Sequence, residues 1–205
     1  MNLKIQHASD LHLEFPHNSK FIKENPLQPV GDILVLAGDI VTFAIMNQHD
    51  DFFNYISDHF KLTYWLPGNH EYYHFDITDK SGILNERIKN NVTLVNNTSV
   101  VHDGVKLLFS TLWSHISIAN QWQIERNLND FHQIKHNGSH FTSEHYNALH
   151  YESLDFIKQT AEQKLGGFEQ TILPVIDAEK DEENTFLSLF ESEATIFLDG
   201  FRTVD

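Results

Sequence analysis

The chain has 205 residues, of which 40% are hydrophobic and 12% aromatic, and this composition fits one packed globular domain rather than a disordered segment. It has no cysteine, which excludes disulfides, thiolate nucleophiles and cysteine-based metal sites, so oxygen and imidazole nitrogen must hold any metal ion. A formal net charge of −15 argues against non-specific nucleic-acid binding, which needs Lys and Arg to displace counterions.

The N-terminal residues predict a strand that ends at a polar motif. Residues 3–8, LKIQHA, alternate apolar and polar side chains as a half-buried strand does, and Asp10 and His12 follow directly. Neither this segment nor any later one has the roughly 18 apolar residues of a membrane span or the apolar core of a secretory signal. We therefore expect a cytoplasmic protein without a membrane partner.

A second strand also ends at a polar motif. Residues 32–37 are almost continuously apolar, as expected for a strand that is covered on both faces. The run stops at Gly38 and Asp39, and the glycine lets backbone or substrate approach the carboxylate closely. Polar chemistry therefore follows this strand as it follows the first.

A third strand completes the pattern. A helix predicted at residues 51–56 leads to a strand at residues 62–66, which stops at the segment PGNHE. Strands and helices that alternate at these lengths predict a largely parallel α/β sheet, which binds ligands outside the carboxyl ends of its strands. We therefore expect Asn69 and His70 to lie near the polar side chains of the first two motifs.

Later elements are predicted from turn and capping signals. Short strands at residues 92–95, 99–101 and 105–109 are separated by Asn-Asn and Asp-Gly turns, which predicts a meander. A long helix is predicted from Thr142, a candidate N-cap, to Lys164, which precedes two glycines.

The three polar motifs together predict a metal centre. Asp10 and His12 can face one point if the backbone bends just after the strand, and Asp39 adds a carboxylate that can bridge two cations. Asn69 supplies a neutral amide oxygen, and His70 is free to face a substrate. Such oxygen and nitrogen ligands suit Mn²⁺, Fe, Zn²⁺ or Mg²⁺. Each motif alone is common in turns, but the three in order at strand ends favour a functional site.

The motifs resemble those of the calcineurin-like metallophosphoesterases. The similar segments are residues 9–15 (SDLHLEF), 36–40 (LAGDI) and 67–73 (PGNHEYY), with shorter likenesses to small bacterial single-domain members at residues 110–114 and 129–131. The resemblance covers roughly residues 1–170. It implies a single domain, residues 1–205, with the α/β fold of the family, a four-layer α/β/β/α sandwich, here incomplete at the C-terminal end.

The resemblance also implies a function. Members hydrolyse a phosphate mono- or diester with a water that two divalent metal ions activate. By position, Asp10 and His12 would bind the first metal, Asp39 would bridge the pair, and Asn69 would bind the second. His70 would act at the leaving-group oxygen or the phosphoryl group. A small phosphorylated substrate is the expected partner, nucleic acid is disfavoured by the acidic charge, and the oligomeric state stays open.

The C-terminal part departs from the family pattern. The blocks Thr-His-His and Gly-His-x-His, which normally supply further ligands, are absent, and their nearest counterparts carry only Asp177 and Asp199. Residues 171–205 therefore form a divergent acidic end. Other histidines available as ligands are His102, His115 and His132.

Three explanations of this departure stay open. The chain is truncated or frame-shifted after about residue 170, or it is a divergent member with substitute ligands, or it is a degenerate member that binds one metal ion or none. The third explanation would make the protein a non-catalytic binding or scaffold module.

Overall fold

The structure, a computed structural model, describes residues 3–162, 171–176 and 198–199. The elements of the first half are β1 (Ile5–Ala8), α1 (Pro16–Glu24), β2 (Ile33–Ala37), α2 (Asp50–His59) and β3 (Thr63–Leu66). Those of the second half are β4 (Leu84–Lys89), β5 (Val92–Asn96), β6 (Thr98–His102), β7 (Val105–Ser110), α3 (Gln121–Asn127), α4 (Asp130–Gln133), β8 (Lys135–His136), β9 (Ser139–His140), α5 (Ser143–Glu162), β10 (Thr171–Ile176) and β11 (Leu198–Asp199). Short 3-10 helices are Met46–His49, His70–Tyr72 and Ile77–Asp79.

The strands form two larger sheets and one small hairpin. The first sheet has the order β1-β2-β3-β5-β4, in which the first four strands are parallel and β4 is antiparallel to β5. The second sheet has the order β11-β10-β7-β6, with β6 antiparallel to β7. Strands β8 and β9 pair antiparallel with each other as a small hairpin. The predicted parallel arrangement of the first three strands is confirmed.

Strand β2 shows why the sheets stack. Successive side chains point to opposite faces of a sheet. Val35 joins an apolar cluster with Leu107 and Phe109 of β7, so the two sheets pack face to face. Leu36 joins a second cluster with Ile56 of α2, so this helix covers the outer face of the first sheet. The continuous apolar run therefore reflects a strand that is buried on both sides, as predicted.

Helix α5 covers the second sheet. The Lys106 side chain on β7 donates through Nζ to the Thr160 carbonyl at 2.8 Å, and Ser153 Oγ donates to the Thr111 carbonyl at 2.9 Å. The layers are thus α2, the first sheet, the second sheet and α5, which is the expected α/β/β/α sandwich. Thr142 caps α5, because its Oγ1 accepts the backbone N–H of His145 at 3.4 Å.

Several predictions about the C-terminal part lie outside the described residues. They concern the end of the long helix at Lys164, the acidic segment with Asp177, and the incompleteness of the fold. Of the candidate Asp199, only the backbone in β11 is described. Among the described helices, none is both long and apolar enough to cross a membrane.

The predicted meander is wrong at its first turn but confirmed at its second, where β6 and β7 form an antiparallel hairpin. Strand β5 belongs to the first sheet, whereas β6 and β7 belong to the second. The chain changes sheets at Asn97, which has a positive φ of 44°. The side chain of Asn96 accepts the backbone N–H of Thr111 at 2.9 Å, and that of Asn97 accepts the Ser110 hydroxyl at 2.8 Å. The two asparagines therefore stabilise the connection that carries the chain from the first sheet to the second, and do not form a hairpin turn.

Candidate metal centre

The first motif leaves β1 in a sharp bend. Asp10 and His12 have φ values of 55° and 46°, in the left-handed region that costs most L-residues about 1–2 kcal/mol. Their backbone N–H groups donate to the carbonyls of Gly38 at 3.2 Å and Asp39 at 2.9 Å. Asp39 is itself left-handed, with a φ of 55°. The bend is therefore held directly against the second motif.

These bends bring three donor side chains together. Asp10, His12 and Asp39 each offer a ligand atom, and the three atoms lie within 4.8 Å of one another. The Nε2 atom of His12 is 4.0 Å from Asp39 Oδ2. Burial raises the pKa of Asp39, and the nearby histidines oppose this rise. A divalent cation among these atoms would favour the ionised carboxylate.

The third motif reaches the same point. The backbone N–H of His70 donates to Asp39 Oδ1 at 3.1 Å, which joins the second and third motifs. The Asn69 amide nitrogen donates to Asp130 Oδ1 at 2.8 Å. Because its nitrogen is committed to this carboxylate, Asn69 is left with its oxygen as the end available to a cation. The residues predicted from the sequence therefore share one region of the structure.

Asp130 is a site residue that the sequence did not single out. Its side chain is only 1% exposed, and its Oδ1 also accepts the Tyr73 hydroxyl at 2.9 Å. Burial raises the pKa of Asp130, and the hydrogen bonds from Asn69 and Tyr73 oppose that rise. The likeness at residues 129–131 was the only signal, and it gave no role. In the structure, Asp130 orients the Asn69 amide.

We expect Asp130→Ala to lower the affinity for Mn²⁺ by about 10–100-fold, since the Asn69 amide would lose the partner that orients it. Asp130→Asn keeps an Oδ1 acceptor and should change the affinity by less than about fivefold. Isothermal titration with Mn²⁺ measures both, with exposed Asp58→Ala as the control. Equal affinities for Asp130→Ala and the unsubstituted protein would contradict this role.

Glu71 was also missed, although it lies between two other motif residues. Its side chain is buried, and its carboxylate accepts four N–H groups. Oε2 accepts from Gly68 at 2.7 Å and Asp39 at 2.9 Å, and Oε1 accepts from Ile40 at 2.8 Å and the Trp65 indole at 3.1 Å. Glu71 therefore ties the second motif to the third and fixes the backbone that presents Asp39.

Two opposing effects act on the Glu71 carboxyl. Burial, followed by the charge of Asp39, raises its pKa to about 7, and the hydrogen bonds oppose that rise. All four partners donate, so a protonated oxygen would meet an N–H group instead of an acceptor. The geometry therefore fits the ionised form.

Glu14 is the third site residue that the sequence did not identify. Its Oε1 lies 3.1 Å from His12 Nδ1 and 3.4 Å from His70 Nδ1. Burial opposes ionisation, but these hydrogen bonds prevail and lower the pKa of Glu14 to about 2. The same hydrogen bonds raise the pKa of both histidines, and burial opposes the rise in both, most strongly in His70. The Tyr73 ring stacks on His70 with 4.2 Å between centroids.

The described residues contain two groups of three side chains whose ligand atoms lie close enough together to hold a metal ion. One is Asp10, His12 and Asp39, and the other is His12, Glu14 and His70. The other histidines considered from the sequence belong to neither group, because each contacts a different part of the protein. Their contacts are the Tyr64 hydroxyl for His102, the rings of His150 and Tyr151 for His115, and the Arg126 carbonyl for His132.

Comparison with known proteins identifies the family. The family model described as calcineurin-like phosphoesterase matches residues 3–173. The chain belongs to the calcineurin-like phosphoesterase family. Members are hydrolases that normally bind divalent metal ions. The donor set of carboxylate oxygens, an imidazole nitrogen and an amide oxygen around Asp39 fits such ions.

The chain is also similar to two individual proteins. It is 30% identical over 172 residues to the uncharacterized protein L509 of Acanthamoeba polyphaga mimivirus, an alignment that covers 75% of this chain. The chain spans 61% of the length of that relative. Its fold is similar to the crystal structure of phosphopantetheinyl hydrolase from Mycobacterium tuberculosis, with a TM-score of 0.57 and 16% identity over 86% of this chain and 68% of the other.

Proposed function

We propose that the protein is a metal-dependent phosphoesterase that hydrolyses a phosphate mono- or diester with water as the nucleophile. The convergence of Asp10, His12 and Asp39, with ligand atoms within 4.8 Å of one another, is the observation that supports it most. In this proposal Asp10 and His12 hold one divalent ion, Asp39 holds both ions, and Asn69 holds the second. Such ions lower the pKa of a water molecule and stabilise negative charge on phosphate oxygens when bound.

His70 is the residue that we propose to serve the leaving group. Its Nδ1 faces Glu14, which leaves Nε2 as the ring nitrogen available to a substrate. Burial lowers the pKa of His70, but the hydrogen bond with Glu14 and the charge of Asp39 outweigh burial and raise it. A raised pKa favours a protonated ring that can deliver a proton to the departing oxygen.

The substrate we propose is a small phosphorylated molecule. The name of the Mycobacterium tuberculosis neighbour describes a hydrolase of a phosphopantetheinyl group. At 16% identity that likeness concerns the fold, so we keep the proposed substrate class general. The net charge of −15 disfavours a nucleic-acid substrate for the same reason that it disfavours phosphate-backbone binding.

A second candidate is a non-catalytic module that binds one metal ion or none. It is favoured by one observation, the absence from the sequence of the blocks Thr-His-His and Gly-His-x-His. Loss of direct ligands weakens metal binding more than the 10–100-fold typical of their supporting residues. Phosphoester hydrolysis by two ions would then fail for lack of the second ion.

Metal stoichiometry separates the two candidates. After saturation with Mn²⁺ and removal of the excess, we expect elemental analysis to find about two ions per chain. Chelation should abolish the hydrolysis of p-nitrophenyl phosphate, and added Mn²⁺ should restore it. A chain that retains at most one ion and hydrolyses nothing at any Mn²⁺ concentration would instead be the non-catalytic module.

A further inference from the structure

We propose that Glu14 is a positioning residue that fixes the ring orientation and proton position of His12 and His70 together. The inference deepens the proposed function, on which it rests, because it assigns a task to a residue that touches neither cation nor substrate in that proposal. One carboxylate would thereby couple a proposed metal ligand to the proposed proton donor.

The first step concerns the shared oxygen. Oε1 of Glu14 approaches Nδ1 of both rings, at 3.1 Å for His12 and 3.4 Å for His70. A carboxylate oxygen accepts hydrogen bonds, so both Nδ1 atoms carry a proton when both bonds form. Nε2 is then the ring nitrogen that faces away from Glu14; in His12 it is available to a metal ion, and in His70 it carries the transferable proton when the ring is protonated. In His12 this atom lies on the side of Asp39, 4.0 Å from its Oδ2.

The second step concerns what the ring packing leaves undetermined. The His12 and His70 rings contact edge to face, with 4.4 Å between centroids, and Tyr73 stacks on His70. These contacts limit the tilt of the His70 ring. A half-turn about its Cβ–Cγ bond preserves the stacking but exchanges a nitrogen for a carbon at the edge that faces Glu14. The hydrogen bond with Glu14 therefore selects the edge, as supporting carboxylates do for metal-binding histidines.

The third step is that Glu14 has no comparable task in the fold. Its side chain is 13% exposed, and the side chains with which it forms hydrogen bonds are those of His12 and His70. Its Oε2 is buried and accepts no hydrogen bond from any residue in the described part of the chain. Burial of a carboxylate is costly, and the hydrogen bonds that offset this cost come from His12, His70 and the backbone of Glu14.

Nuclear magnetic resonance of the histidines tests the positioning directly. The full chain, labelled with ¹⁵N at its 14 histidines and saturated with diamagnetic Zn²⁺, should show protonated Nδ1 in both His12 and His70. Single-histidine substitutions assign the signals. At a pH where the His70 ring is neutral, we expect His70 in Glu14→Ala to lose its preference for a proton on Nδ1, and in Glu14→Gln, which keeps an oxygen acceptor, we expect the preference to persist in part.

Leaving-group dependence provides the second readout. A poor leaving group such as phenolate depends on the proton that His70 supplies, whereas 2,4-dinitrophenolate does not. Glu14→Ala should therefore lower kcat for phenyl phosphate by about 100-fold, and for 2,4-dinitrophenyl phosphate by less than about tenfold. Glu14→Gln should recover part of the loss. Glu24→Ala, an exposed position on α1, is the control and should match the unsubstituted protein.

Each outcome decides the proposal. Retention of protonated Nδ1 in both rings of Glu14→Ala would overturn it. Equal losses on the two substrates, together with one fewer bound metal ion per chain, would overturn it in favour of Glu14 as a direct ligand. If the unsubstituted protein hydrolyses neither substrate, the proposed function fails. The nuclear magnetic resonance experiment still tests whether Glu14 positions the two histidines.

Discussion

Asp39→Asn should lower kcat/KM for Mn²⁺-dependent hydrolysis of p-nitrophenyl phosphate by about a thousandfold or more. Asparagine retains an oxygen of similar position but lacks the charge and the second oxygen with which Asp39 would hold two cations. Loss of a residue that merely supports a ligand costs about 10–100-fold, and loss of the shared ligand should cost more. Elemental analysis should find that at least one of the Mn²⁺ ions is lost.

The chain offers a closely matched control for this substitution. Asp103 also has a left-handed backbone, with a φ of 49° against 55° for Asp39, and it is exposed in the turn between β6 and β7. Asparagine adopts this conformation as readily as aspartate does. Asp103→Asn therefore repeats the chemical change and the backbone demand away from the site, and it should leave kcat/KM unchanged. If Asp39→Asn is as active as this control, the site is assigned incorrectly.

Glu71→Gln should lower the free energy of unfolding by about 3–5 kcal/mol, a loss typical of a broken buried ionic network. A glutamine amide has one acceptor oxygen. Whichever way it turns, its NH₂ group meets one of two pairs of N–H donors. These pairs are Gly68 with Asp39 and Ile40 with the Trp65 indole.

Urea denaturation followed by circular dichroism measures this effect, with exposed Glu24→Gln as the control. The same experiment tests the ionised form of Glu71. A neutral Glu71 carboxylic acid, which the rise of its pKa to about 7 favours, would resemble glutamine closely. Substitution would then shift the denaturation midpoint little. A large shift of the midpoint thus supports four charge-assisted hydrogen bonds, and an unchanged midpoint rules them out.

Local sequence patterns predicted the individual strands and helices better than they predicted which strands pair with each other. Strand β2 was predictable because burial on both faces requires a continuous apolar run. The N-cap of α5 was predictable because Thr142 bonds to a residue three positions away. The change of sheet at Asn97 was not predictable in this way. An asparagine turn has the same local chemistry whether the next strand pairs with the last one or joins another sheet.

The same distinction applies to the site. The sequence predicted a shared region for Asp10, His12 and Asp39, because parallel strands end at one edge of a sheet. It gave no role for the Asp130 carboxylate, which contacts Asn69 across 61 positions of the chain. Glu71 contacts Asp39 across 32 positions. Such supporting contacts depend on how loops pack together, and no periodicity or turn preference encodes that packing.

The left-handed backbone at Asp10, His12 and Asp39 sets a trade-off between durability and activity. Glycine adopts these conformations without the steric penalty, so replacement by glycine at position 12 would relieve roughly 1 kcal/mol of strain while it removed an imidazole. Directed evolution for thermal stability alone would therefore select substitutions that destroy this centre. A simultaneous screen for phosphoester hydrolysis would be needed to preserve it.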